Sequence, residues 1–131
     1  MTTRIASCCC GQLTAKVSDE PIRVSVCHCY ACQRRTGSVF ASQARFARSA
    51  VEVSGVGTEY VRTGDEGGRA RFTFCPTCGT TVYYVVEGRE DTIVIPAGVF
   101  AESSFPAPTF SVYEDRMHSW VTMRKDMEHM A

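Results

Sequence analysis

Eight cysteines fall into three tight clusters: Cys8-Cys9-Cys10, Cys27-His28-Cys29 with Cys32, and Cys75-Pro76-Thr77-Cys78. This spacing constrains the fold more than any other feature. A C-x-x-C bend brings two thiolates to one ion in roughly tetrahedral geometry, and soft sulfur ligands favour zinc. Two closed four-cysteine sites would use every sulfur. The middle cluster instead offers three with no evident fourth, the pattern of a zinc that keeps an open coordination position.

Disulfides and thiol redox chemistry fit less well. Cysteine makes up about six per cent of the chain, below the roughly 8–10% of short secreted disulfide scaffolds. Adjacent and i, i+2 cysteines also do not easily bridge to each other, because a disulfide needs particular Cα separations and Cβ directions. A redox C-x-x-C at Cys75 and Cys78 would normally open a helix, whereas Gly79 and a β-rich run follow here. The 131 residues amount to one domain, 1–131, with room for a useful core and much to gain from a structural metal.

Basic and acidic residues balance at 14 each, so the totals carry no footprint for nucleic acid or an anionic membrane. The segment Met1 to Ser7 is short and polar, and no stretch reaches the roughly 18 apolar residues of a membrane helix. The expected location is the cytoplasm, where free thiols persist and can hold metal.

The dominant period along the chain is two. Leu13, Ala15 and Val17 alternate with Thr14, Lys16 and Ser18; Ile22, Val24 and Val26 with Arg23 and Ser25; Ala70, Phe72 and Phe74 with Arg69, Arg71 and Thr73. Such alternation predicts half-buried strands. Thr81 to Val86 and Thr92 to Ile95 are β-branched runs of strand length, and Val51 to Val53 and Glu59 to Arg62 predict shorter strands. Gly55 with Gly57, Gly64-Asp65-Glu66-Gly67-Gly68, and Glu87-Gly88-Arg89 predict hairpin connections. Pro106 and Pro108 make Ser103 to Pro108 a connector. Helix is confined to a short turn after Cys32 and a few residues near the C-terminus.

On this reading the first cysteine cluster precedes the first strand and Cys75 to Cys78 caps the strand that ends at Phe74, so Cys8, Cys10, Cys75 and Cys78 can hold one structural zinc. Closing so long a loop removes entropy from the unfolded chain. Cys9 would point the other way in an extended segment and is left out. Cys27, Cys29 and Cys32 project together to a second zinc. His28 between them is either a fourth ligand or a packing residue, and the alternation favours packing. Three thiolates leave room for an incoming thiol to bind as a nucleophile. Arg34 and Arg35 follow directly and suit carboxylates, although solvated surface charge explains them equally well.

Ala6-Ser7-Cys8-Cys9-Cys10-Gly11, Val26-Cys27-His28-Cys29-Tyr30-Ala31-Cys32 with Thr36-Gly37-Ser38, and Phe74-Cys75-Pro76-Thr77-Cys78-Gly79-Thr80 together resemble the glutathione-dependent formaldehyde-activating enzyme family, which also contains centromere protein V. Val112 to Trp120 is similar to that family's closing strand and its tryptophan. The resemblance implies a mainly β, Mss4-like small β-sheet fold organised around zinc-binding cysteine clusters, with a structural zinc at Cys8, Cys10, Cys75 and Cys78 and a catalytic zinc at Cys27, Cys29 and Cys32. It implies a zinc-dependent carbon–sulfur lyase that activates a small thiol, glutathione as co-substrate, for addition to formaldehyde or another small carbonyl, giving an S-hydroxymethyl adduct. The competing class is a non-catalytic zinc-binding module for a protein partner, which would close the middle site with a fourth ligand.

Overall fold

The computed structural model describes residues 3–64 and 66–131. Met1 and Thr2 of the polar leading segment, and Asp65 of the Gly64–Gly68 turn, lie outside the described residues. The strands are β1 (Arg4–Ser7), β2 (Thr14–Val17), β3 (Arg23–Cys27), β4 (Ala41–Ala47), β5 (Val51–Ser54), β6 (Thr58–Thr63), β7 (Arg69–Phe74), β8 (Thr81–Val86), β9 (Thr92–Pro96), β10 (Phe110–Val112) and β11 (Glu128–His129), with one α-helix, α1 (Tyr30–Thr36), and three short 3-10 turns. Three strands form a small antiparallel sheet in the order β1-β2-β5, and eight form a larger one in the order β11-β10-β3-β4-β9-β8-β7-β6. Among the described residues no helix is long and apolar enough to cross a membrane.

The core lies between the two sheets. Ala6, Leu13, Ala15, Val17 and Val51 from the small sheet and its turns meet Val24, Ala44, Phe46, Val82, Ile93 and Ile95 from the large one. Period-two alternation supplies both faces, since consecutive side chains leave a strand on opposite sides. The register defines the opposite face of the large sheet. Arg23 is paired with Arg45, Arg45 with Val94, Val94 with Tyr84, Tyr84 with Phe72 and Phe72 with Tyr60. Directly opposed residues share a face, so these six form one row across the sheet. Cys27 and Gln43 stand on that same face, and α1 lies over part of it.

Several expectations change. A strand, β1, precedes the first cysteine cluster, so Cys8 to Cys10 form the turn of the β1–β2 hairpin, where Ser7 pairs with Thr14. The strand β4 was not expected, because Ala-Ser-Gln-Ala-Arg-Phe-Ala has little β-propensity; it forms because Ala41, Ala44 and Phe46 are buried. Ile22 lies outside β3 and is 62% exposed. The closing strand is confined to Phe110–Val112, since Tyr113 takes a left-handed turn (φ 58°) into the 3-10 turn Glu114–Arg116 and leaves Trp120 exposed.

Gly55 and Gly57 do not make a hairpin either. β5 pairs with β2 and β6 with β7, so this connection passes from one sheet to the other. It does so under close contact: a Cβ on Gly55, whose φ is +100°, would stand 1.9 Å from the Gln12 carbonyl oxygen. Gln12 grips the same turn, accepting from the Val56 N–H at 2.9 Å and donating to the Val56 carbonyl at 2.7 Å. Gly55→Ala is therefore expected to destabilise the protein by about 2 kcal/mol or more through strain and steric overlap, read as a lower urea midpoint with an unchanged slope.

Candidate metal and substrate site

The fold assembles the cysteines into two groups. Sγ atoms of Cys8, Cys10, Cys75 and Cys78 lie within 4.8 Å of one another, and those of Cys27, Cys29 and Cys32 do likewise. Sulfurs at about 2.3 Å from a tetrahedral zinc stand about 3.8 Å apart, and the Cys8–Cys10 and Cys10–Cys75 separations are 3.6 and 3.7 Å. The donor sets and spacing fit the ion. Cys9 belongs to neither group; it is exposed and its N–H donates to Thr80 Oγ1 at 3.2 Å.

The four-cysteine group joins two hairpins, the β1–β2 turn and the turn between β7 and β8. Donors around it point at sulfur: Leu13 N–H at 3.3 Å from Cys8, Gln12 Nε2 at 2.9 Å from Cys75, and Thr80 Oγ1 at 3.4 Å from Cys78. The Thr80 side chain and backbone hold the Cys78 thiol down to about 5. Such donors stabilise thiolates, the form that binds metal.

The three-cysteine group sits at the end of β3. Cys27 is its last residue, and Cys29 is the cap of α1, where its Sγ accepts from the Cys32 N–H at 3.4 Å. The helix start therefore brings Cys32 back beside Cys27. Contact with Cys27 pulls the Cys32 thiol down to about 5, with Cys29 and then Arg35 and Arg62 adding to it, while the same contact pushes Cys27 up. One proton is thus readily lost from this group, and two guanidinium groups feel the resulting charge. His28 faces away. It is fully buried, with Nε2 3.0 Å from Ser111 Oγ, and the His28 N–H donates to the Val112 carbonyl at 3.1 Å. Among the described residues no fourth His, Cys, Asp or Glu joins the group.

The group opens into a cavity of about 420 Å³ on the second face of the large sheet. Its walls include Gln43, Arg45, Arg62, Arg69, Tyr113 and Arg116. The Tyr84 hydroxyl donates to Gln43 Oε1 at 2.7 Å, and burial pushes its pKa up, so the phenol keeps its proton. The Arg116 guanidinium lies over the Tyr30 and Tyr113 rings at 5.4 and 5.2 Å. Arg69 is partly offset by Glu87 at 3.7 Å.

Arg34 and Arg35 do not line this cavity. They line an adjoining groove of about 430 Å³ with Tyr60, Phe72 and Phe74, which shares Ala31 and Arg62 with it. Arg35 and Arg62 both lie against the Phe72 ring, at 5.1 and 4.8 Å, and each keeps one buried nitrogen, Nε and Nη1, without a hydrogen-bond partner. Orphaned buried donors are costly, and a groove that holds two of them is suited to an acceptor-rich ligand. Arg45, Arg62 and Arg116 escaped the sequence reading because their alternation looked like solvated strand and tail; only the register could have placed them beside Cys27.

Residues 3–116 match the family described as glutathione-dependent formaldehyde-activating enzyme. The chain belongs to that family. Its mainly β, two-sheet structure with little helix is consistent with the family's Mss4-like fold. The crystal structure of a Rhodobacter sphaeroides protein is similar, with a TM-score of 0.57 and 23% identity over 72% of this chain and 85% of that one. At that identity the likeness concerns the fold. No curated protein matches the chain. Membership in the glutathione-dependent formaldehyde-activating family supports, at family level, a function on small molecules such as glutathione and formaldehyde.

Proposed function

We propose that the chain is a carbon–sulfur lyase of the glutathione-dependent formaldehyde-activating type, with its reaction centre at Cys27, Cys29 and Cys32 and a structural zinc at Cys8, Cys10, Cys75 and Cys78. One observation carries this reading: a three-thiol group with no fourth protein donor among the described residues opens into a cavity rich in arginine. A zinc ion held by the three cysteines would supply Lewis acidity and favour the thiolate form of a bound thiol.

The chain's own residues bind and orient. Glutathione carries two carboxylates, and Arg62 stands where cavity and groove meet, with Arg35 behind it and Arg34 on the groove wall. Guanidinium groups pair with carboxylates in bidentate geometry, and in a sheltered site each pairing is strong. The reaction is an addition. The substrate sulfur forms a bond to the carbonyl carbon, the carbon–oxygen π bond opens, and the oxygen takes up the proton lost by the thiol to give the S-hydroxymethyl product. Positive charge from Arg45, Arg62 and Arg116 favours the developing oxyanion. A closed, partner-binding zinc module would need a fourth protein donor here, and among the described residues no His, Cys, Asp or Glu joins the three cysteines.

Arg62→Ala is expected to weaken glutathione binding about tenfold, close to 1.4 kcal/mol, by calorimetry on zinc-loaded protein. In cobalt-loaded protein, addition of glutathione is expected to change the visible spectrum as a fourth sulfur ligates. A spectrum unmoved by glutathione, together with equal affinity in Arg62→Ala, would overturn the reading.

A further inference from the structure

The row of residues on the second face of the large sheet begins with two like charges. Arg23 on β3 is directly opposite Arg45 on β4, and opposed side chains on one face repel when they share a sign. A third guanidinium, from Arg89 between β8 and β9, enters the same hollow of about 340 Å³, which Ile22, Asp91 and Thr92 complete. Among the described residues no carboxylate reaches Arg23, Arg45 or Arg89 within 4.0 Å. This differs from Arg4, which lies 3.0 Å from Glu20 and 3.5 Å from Glu102. Three cations with Asp91 as the only acidic lining residue leave a local excess of two positive charges.

Two of the arginines are also held in place. Arg23 lies over the Phe110 ring at 4.4 Å. Arg45 is half-buried, and burial first, then Arg89, lower its guanidinium below the usual range, with Arg23 adding to the effect. Converging guanidinium groups that no carboxylate pairs with are suited to an anion of high charge density, because phosphoryl oxygens accept their N–H donors in pairs.

We propose that Arg23, Arg45 and Arg89 form a second, separate binding site for a phosphate-like oxyanion. The site does not involve the cysteines and adjoins the cavity described above, sharing Arg45 with it. Its occupant is either a free phosphate ion or the phosphoryl end of a larger molecule.

The test titrates zinc-loaded protein with inorganic phosphate at constant ionic strength, following the arginine Nε–Hε signals by NMR, with chloride as the control. Signals of the three arginines are expected to shift along one saturating curve. Affinity should fall at least tenfold in Arg89→Gln, whose exposed turn position leaves the fold intact, and rise in Asp91→Asn. Arg23→Gln should raise the melting temperature without phosphate, by relieving repulsion, and lose most of the further rise that phosphate gives wild type. Phosphoserine separates the two sources: affinity near that of phosphate assigns the phosphoryl end of a larger molecule, and much weaker binding assigns the free ion. Non-saturating shifts, shifts matched by chloride, or affinity undiminished in Arg89→Gln would overturn the proposal. Phosphate binding unchanged in Cys29→Ser keeps this outcome distinct from any failure of the thiol chemistry.

Discussion

Replacing Cys78 with serine is expected to lower the melting temperature by more than 10 °C. The side chain is exposed, and exposed substitutions ordinarily change stability by no more than about 0.5 kcal/mol, so burial alone predicts almost nothing. Metal binding predicts a large effect. Structural zinc contributes on the order of 10–16 kcal/mol to folding in small domains, and loss of one of four thiolates forfeits a good part of it. A loss of about 4 kcal/mol corresponds to roughly 10–20 °C in a domain of this size. Scanning calorimetry of zinc-replete wild type and Cys78→Ser decides the matter, with excess chelator expected to bring wild type down to the variant. Equal melting temperatures would remove the four-cysteine group as a metal site.

Cys29→Ser is expected to show the opposite pattern, with adduct formation falling by about 10²–10³ in rate, the scale seen when one group that stabilises a transition-state charge is removed, and the melting temperature moving by only a few degrees. Serine is itself a favoured N-cap, so the substitution keeps an acceptor for the Cys32 N–H while deleting the thiolate. The three cysteines also form a cluster of their own with Ala41, Val112 and Tyr113, apart from the core between the sheets. Single-turnover formation of the S-hydroxymethyl adduct, followed by NMR, gives the rate. Staged chelation of wild type should remove metal from the three-thiol group first while circular dichroism stays constant, because three protein ligands hold an ion less firmly than four. Simultaneous loss of all metal and all structure would refute the division of labour.

The residues differ in how openly the sequence displayed them. Cysteine spacing carries its own geometry, so both groups were legible before any fold was known, as were Thr81–Val86 and the turn at Glu87 to Arg89, whose signals are local. Arg45 and Arg62 were not, because their meaning depends on register. Arg45 faces the cavity only because Ser25 is opposite Gln43 and Cys27 opposite Ala41, a relation no local pattern encodes. Arg35 was chosen for its nearness to Cys32 in sequence, whereas α1 turns its guanidinium onto Phe72 and Tyr84. The hairpin expected at Gly55 and Gly57 does not form, for a related reason: glycine signals that the chain turns, and packing decides which sheet it turns towards.

The joining of the first hairpin to the turn after β7 has a bearing on synthesis. Cys10 and Cys75 are 65 positions apart, and chains are made from the N-terminus at roughly 5–20 residues per second. The first thiols must therefore wait several seconds, outside any completed cage, for the sulfurs that enclose them. During that interval they are free thiols open to oxidation. Brief oxidative stress should consequently harm newly made molecules far more than mature ones, a difference that pulse-labelled protein trapped with a thiol-specific alkylating reagent would reveal.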